Sequence, residues 1–222
     1  MKSLEQQIKN VLLDGMYIPE ALSKLFSWIE SNGFVQTEDG CSYGHLYDLN
    51  KLRNEWNDNE RHGGTIIEFM PEGNKYLNSY FGENSAQFAS RVSVFAKTGA
   101  DGSMAAFWID DNGDQKIVHL GSGSGSTLDC VLADDPVDFI RLLAIGYDEI
   151  CWNNHFDSTA QEASIAEEMI IHPNIAFQNW VKSTFNVTIP KRACEIVKHP
   201  SEDGDENSKD TFFNWMESIQ AY

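Results

Sequence analysis

Six histidines, at positions 45, 62, 119, 155, 172 and 199, and four cysteines, at 41, 130, 151 and 194, are the first residues to test for chemistry. The histidines form no HExxH and no paired ligand spacing, and the cysteines no CxxC, so a structural or catalytic metal centre has no signature here. His155, in Trp152-Asn153-Asn154-His155-Phe156-Asp157, is the most site-like. A hydrolase built on His155 and Asp157 would need a deep pocket that holds both. Asp110-Asp111-Asn112-Gly113-Asp114 resembles the start of a calcium loop, but its sixth position is Gln115 and its twelfth Gly121, where that loop needs Gly and Glu. It reads instead as the turn of a hairpin, with Asn-Gly suited to a type I′ turn. The run Gly121 to Ser126 alternates Gly and Ser. It has Ser126 where a dinucleotide loop needs Gly or Ala, no Lys for a Walker loop, and a strand rather than a helix after it. It is expected to be a flexible connection. No catalytic residue, metal or cofactor is therefore assigned.

The elements that would position a site follow from periodicity. Leu4, Ile8, Val11 and Leu12 have helical spacing, and so do Leu22, Leu25, Phe26 and Ile29 after Pro19-Glu20, with Asn32-Gly33 as the stop. Residues 36–62 are polar and give only a short helix near Leu49 to Trp56. Thr65 to Met70, Val92 to Lys97, Met104 to Ile109, Lys116 to Leu120 and Thr127 to Leu132 read as strands. Leu128, Cys130 and Leu132 alternate with Thr127 and Asp129, which predicts one wet face. Residues 71–90 read as a long loop. Asp135-Pro136 opens a helix that is apolar nearly all round and stops at Gly146. Helices near Asn174 to Phe185 and through Phe212, Phe213, Met216 and Ile219 follow, either side of an acidic loop at 201–210. The order is α+β with an antiparallel sheet flanked by helices. Residues 1–151 read as the domain and 152–222 as an extension on the same core.

The chain has 222 residues and a formal charge of −18. Residues 101–170 carry 14 acidic side chains against Lys116 and Arg141 alone. Nucleic acid and anionic membrane need basic surface, so neither is an expected partner. There is no secretory h-region and no apolar run of spanning length, so a cytoplasmic protein with reduced thiols is expected. Acidic residues with aromatic company suit a basic protein partner. The candidate surface is Asp110, Asp111, Asp114, Asp134 and Asp135, with Glu167 and Glu168 as outliers.

Residues 93–150 also resemble a family. Phe95-Ala96-Lys97-Thr98-Gly99-Ala100-Asp101-Gly102-Ser103 is similar to a stretch of one branch of the SUKH (Smi/Knr-like) superfamily. So are Phe107-Trp108, Val118 to Ser122, and Asp138 through Gly146-Tyr147-Asp148-Glu149. Ile18-Pro19 through Asn32-Gly33 matches the family's early helix. The extra Gly-Ser repeat at 123–126 departs from its usual acidic pattern, and nothing after 152 matches. The resemblance implies a twisted antiparallel sheet flanked by helices and a non-catalytic binding role. In the bacterial branch that role is immunity to a cognate polymorphic toxin, nucleases among them; in the eukaryotic branch it is regulation or scaffolding. Such a protein would be a monomer or weak homodimer. Gly99, Asp101 and Gly102 match the family's turn and read as structural.

Overall fold

The computed structural model describes residues 2–55, 57, 59–75, 77, 85–166 and 168–220. Two helices lead the chain, α1 (Leu4–Lys9) and α2 (Glu20–Ser31). Pro19 is the N-cap of α2 and not its first residue; its fixed φ suits either place. Then come β1 (Val35–Glu38), β2 (Cys41–His45), α3 (Leu49–Asn54), β3 (Glu60–His62) and β4 (Glu68–Gly73). The central run is α4 (Ser85–Ala89), β5 (Val92–Lys97), β6 (Met104–Ile109), β7 (Gln115–Leu120) and β8 (Cys130–Ala133). The rest is α5 (Pro136–Ile145), α6 (Ala160–Ala166), β9 (Ile170–His172), α7 (Ile175–Phe185) and α8 (Thr211–Gln220).

Among the described residues, seven strands form one antiparallel sheet in the order β1-β2-β4-β5-β6-β7-β8. The expected α+β class is therefore present, as a meander. Phe69, Phe95, Phe107 and Ile117 face α1, α2, α5 and α7, in a core that also holds Leu22, Phe26 and Ile140. Phe95 stacks on Phe107 at 4.3 Å between ring centroids. The period of two sends their neighbours Val94, Ala106, Trp108 and Val118 to the opposite face. That face is covered by Phe212, Met216 and Ile219 of α8 and by Phe88 of α4. The expectation of a wet face is thus overturned. The cover arrives from about a hundred residues downstream, which local alternation cannot show.

Local chemistry explains the ends of the elements. The Asp135 carboxylate accepts the Val137 N–H at 2.8 Å, Pro136 fills the first helical turn, and Gly146 ends α5 at φ +100°. Gly146 also lies against Gly63, where an added Cβ would stand 2.0 Å from the Gly146 oxygen. The β6–β7 connection is a three-residue loop, not the expected type I′ turn. Asp110 N–H bonds the Asp114 carbonyl, Gly113 N–H bonds the Asp110 carbonyl, and only Gly113 takes positive φ.

Other boundaries also moved. The strand expected at 65–70 runs from 68 to 73, and 85–89 of the expected loop is helical. The strand expected at 127–132 begins at Cys130. The sequence reading missed β1, β2, β3 and β9. The last two pair in parallel, Glu60↔Ile170 to His62↔His172, and tie the 152–222 segment to the first third of the chain. Phe156, Phe177, Val181 and Val197 share the core with α2 and α5.

Candidate functional site

The acidic turns gather at one end of the sheet. Lys116 on β7 reaches Asp134 at 3.1 Å and Asp110 at 3.7 Å, so the β6–β7 loop and the β8–α5 junction adjoin. Asp111, Asp114, Asp134 and Asp135 are exposed. Asp111 pairs with Arg91 at 2.7 Å. Arg91 also donates to the Ile109 carbonyl and lies over the rings of Trp108 and Trp215.

Asp110 departs from the expected role. It is 8% exposed, and its Oδ1 accepts the N–H groups of Asn112 and Asp114 at 2.8 and 2.9 Å. Burial acts to raise its pKa, but those bonds and Lys116 outweigh it and hold the carboxyl below its usual range. The carboxylate organises the loop and is not presented to a partner. Glu167 lies outside the described residues. Glu168 is exposed at φ +57° in the turn between α6 and β9.

The Gly-Ser run is wound round one carboxylate. Asp101 Oδ2 accepts from the Ser122 hydroxyl at 2.7 Å, the Ser126 N–H at 2.8 Å and the Ser103 hydroxyl at 3.0 Å. Its Oδ1 accepts the Ser103 N–H at 3.0 Å. A Cβ at Gly125 would stand 2.8 Å from the Asp101 side chain. The expected flexible connection is therefore a packed, hydrogen-bonded loop. Glu149 braces the same region, accepting from the Ala100 N–H at 2.8 Å and from the Trp152 indole N–H.

The histidines divide by surroundings. His119 is fully buried between the Thr98 hydroxyl and the Leu128 carbonyl. Nδ1–H donates to the carbonyl, so Nε2 accepts from Thr98. Burial pulls its pKa down to about 4, so the ring is neutral, as a structural histidine should be. His155 borders a cavity of only about 80 Å³ with Tyr147, Glu149 and Trp152; Asp157 does not line it. This cavity is therefore not a deep pocket that holds both His155 and Asp157.

A second cavity, of about 800 Å³, is foreshadowed by no motif in the sequence. It lies between α3 and β3 on one side and β9 with the start of α7 on the other. Leu46, Tyr47, Leu52, Pro173 and Ile175 give it apolar walls. His62 and His172, opposite each other on the parallel strands, have ring centroids 5.8 Å apart, and Tyr47 lies 5.4 Å from His62. His172 Nε2 is 2.7 Å from Glu60. Arg61 and Thr65 also line the cavity; the Arg61 guanidinium meets Asp148 at 2.8 Å, and the Thr65 hydroxyl bonds the second Asp148 oxygen. These residues come from positions 34 to 176, and the β3–β9 pairing, with the Asn174 amide donating to the Leu46 carbonyl, brings them together. The sequence signal was the pair of histidines 62 and 172, each in a stretch with no element assigned to it.

No family model, curated protein or solved structure matches the chain. Among the described residues, no group of three or more His, Cys, Asp or Glu is placed to hold a metal ion. No described helix is long and apolar enough to cross a membrane.

Proposed function

We propose that this chain is a SUKH-like, non-catalytic binding protein that captures and neutralises a cognate bacterial toxin in the cytoplasm. The observation that supports it best is the cluster of exposed carboxylates Asp111, Asp114, Asp134 and Asp135 on adjoining turns of a chain of charge −18. Such a field attracts a basic protein surface, the kind a nuclease presents to its substrate. Arg91 and Lys116 temper the cluster and fix its shape.

The test is to express the C-terminal domain encoded by the adjacent upstream gene, with and without this protein. Survival and co-purification are scored together. Rescue with a tight complex is the expected result. Asp111→Lys with Asp114→Lys should then slow association about tenfold at low salt and flatten its salt dependence. Toxicity without rescue, or no toxic neighbour, would overturn immunity as the function. Unchanged kinetics would remove the acidic turns from the interface.

A further inference from the structure

We propose that the 800 Å³ cavity between α3, the β3–β9 pair and α7 receives an apolar side chain of a protein partner, carried on a Lys- or Arg-flanked segment. The proposal rests on the chain being a protein-binding module and gives that module its anchor point. Three observations carry it.

The first is exposed apolar surface beside the cavity. Among the described residues, the large hydrophobics that stand more than half exposed are Tyr17, Ile165, Ile170 and Ile175. Of these, Ile175 lines the cavity itself, and Ile170 stands two residues before His172 on β9. Exposed apolar surface rimmed by charge is the signature of an interaction site.

The second is the shape and lining. An anchor side chain gains most from a pocket that strips it of water, with a polar rim around it. Here Leu52, Tyr47 and Pro173 form walls, and the exposed faces of His62 and His172 form the lip.

The third is the sign of the rim, which selects the flanks. Asp48, Glu55 and Glu60 are all exposed at the mouth. Asp48 is fixed there as the cap of α3, accepting the Asn50 and Lys51 N–H groups. Of the charged groups on the lining, Arg61 is held by Asp148 and Glu60 meets His172, which leaves Asp48 and Glu55 against Lys51 at the mouth. A segment with cations on both sides of its anchor meets that rim favourably. The cavity needs both the early α3–β3 segment and the later β9–α7 segment, which gives residues 152–222 a role in recognition.

The test uses ¹⁵N-labelled full-length protein and three synthetic peptides, each blocked at both ends with one glycine at each side. Their cores are Lys-Lys-Trp-Lys-Lys, the same core with Ser for Trp, and Glu-Glu-Trp-Glu-Glu. The first peptide should shift the amides of Tyr47, Leu52, His62, His172 and Ile175, and the other two should bind at least about tenfold more weakly. Ala176→Trp, which fills the cavity from an exposed helical position, should abolish the response while leaving distant amides in place. Glu55→Lys, on the surface, should weaken the Lys-flanked peptide and strengthen the Glu-flanked one. The proposal is overturned by no shifts, by shifts confined to the acidic turns, or by an equal response to the Ser peptide. Equal binding of free indole would overturn it in favour of a small-molecule site. The readout involves no toxin: peptide binding without a toxic neighbour would sink only the immunity reading. A toxin complex indifferent to Ala176→Trp would sink only the anchor.

Discussion

The Arg61 guanidinium donates to Asp148 Oδ2 at 2.8 Å and so fastens β3 to the chain leaving α5. Asp148 is 8% exposed, so little solvent reaches it to replace its partner. Removing one member of such a pair leaves a buried charge uncompensated. Arg61→Ala should therefore cost about 3 kcal/mol, the low end of that range because Arg61 is itself partly exposed. Urea denaturation measures it. Arg61→Met combined with Asp148→Leu should cost less than Arg61→Ala alone. A loss within about 0.5 kcal/mol for the single variant would mean that the pair does not hold β3.

Asp101→Ala should release the Gly-Ser loop. It removes the acceptor of the Ser126 and Ser103 N–H groups and of the Ser122 and Ser103 hydroxyls. Bonds to a charged acceptor are the stronger class, so a loss of about 2–4 kcal/mol is expected. Hydrogen exchange at 122–126 should rise well before exchange in β6 and β7. Unaltered exchange there would show that the glycine packing, not the carboxylate, orders the loop.

The pH profile should carry two opposed contributions. Burial, with Asp203, Asp210 and Glu217 nearby, pushes the Asp129 carboxyl up to about 7. Between about 4 and 7 the folded state keeps a proton that the unfolded state has lost, so this group lowers stability as pH rises through that window. His119 works the other way, since its folded value is about 4. Between that value and the ordinary histidine range the unfolded state binds the extra proton, so stability falls as pH falls. Asp129→Asn should keep the bond from the Gly121 N–H and gain about 1–3 kcal/mol at pH 8, with no gain at pH 4. Melting temperature against pH for both proteins decides it; a gain that does not depend on pH would discard the assignment.

Phe212→Ala tests whether the C-terminal helix belongs to the fold. Phe212 is fully buried and meets Trp108 edge-on at 5.2 Å. Its truncation should cost about 3–5 kcal/mol and lower the midpoint of a single cooperative transition. Tryptophan fluorescence follows it directly, because Trp108 and Trp215 sit in that contact. A separate early transition, with the main one unmoved, would make α8 an appendage.

Legibility in the sequence followed distance along the chain. The strands β5 to β7 were readable because Val-Ser-Val-Phe-Ala and Ile-Val-His-Leu are short, β-prone runs between turn residues. The helix α5 was readable because Asp135, Pro136 and Gly146 mark both its ends. β1 and β2 were not, because Gln36, Thr37, Ser42 and Gly44 carry no apolar period; β1 is an edge strand of the sheet and β2 lies next to it. Asp110 looked like its acidic neighbours, and only the turn geometry separates a carboxylate folded inward from those left outside. The 800 Å³ cavity was invisible for the same reason as β3 and β9. A parallel pair across 110 residues leaves no local pattern.

The covering of the second sheet face by α8 has a consequence in time. At ~5–20 residues per second, the ribosome adds the hundred or so residues between Trp108 and Phe212 in roughly 5–20 s. Throughout that interval Val94, Ala106, Trp108 and Val118 have no α8 to cover them, although the chain for β4 to β7 already exists. The nascent protein thus passes through a stage with a sticky indole-bearing surface, and a chaperone that shields it then would govern yield without touching the finished molecule.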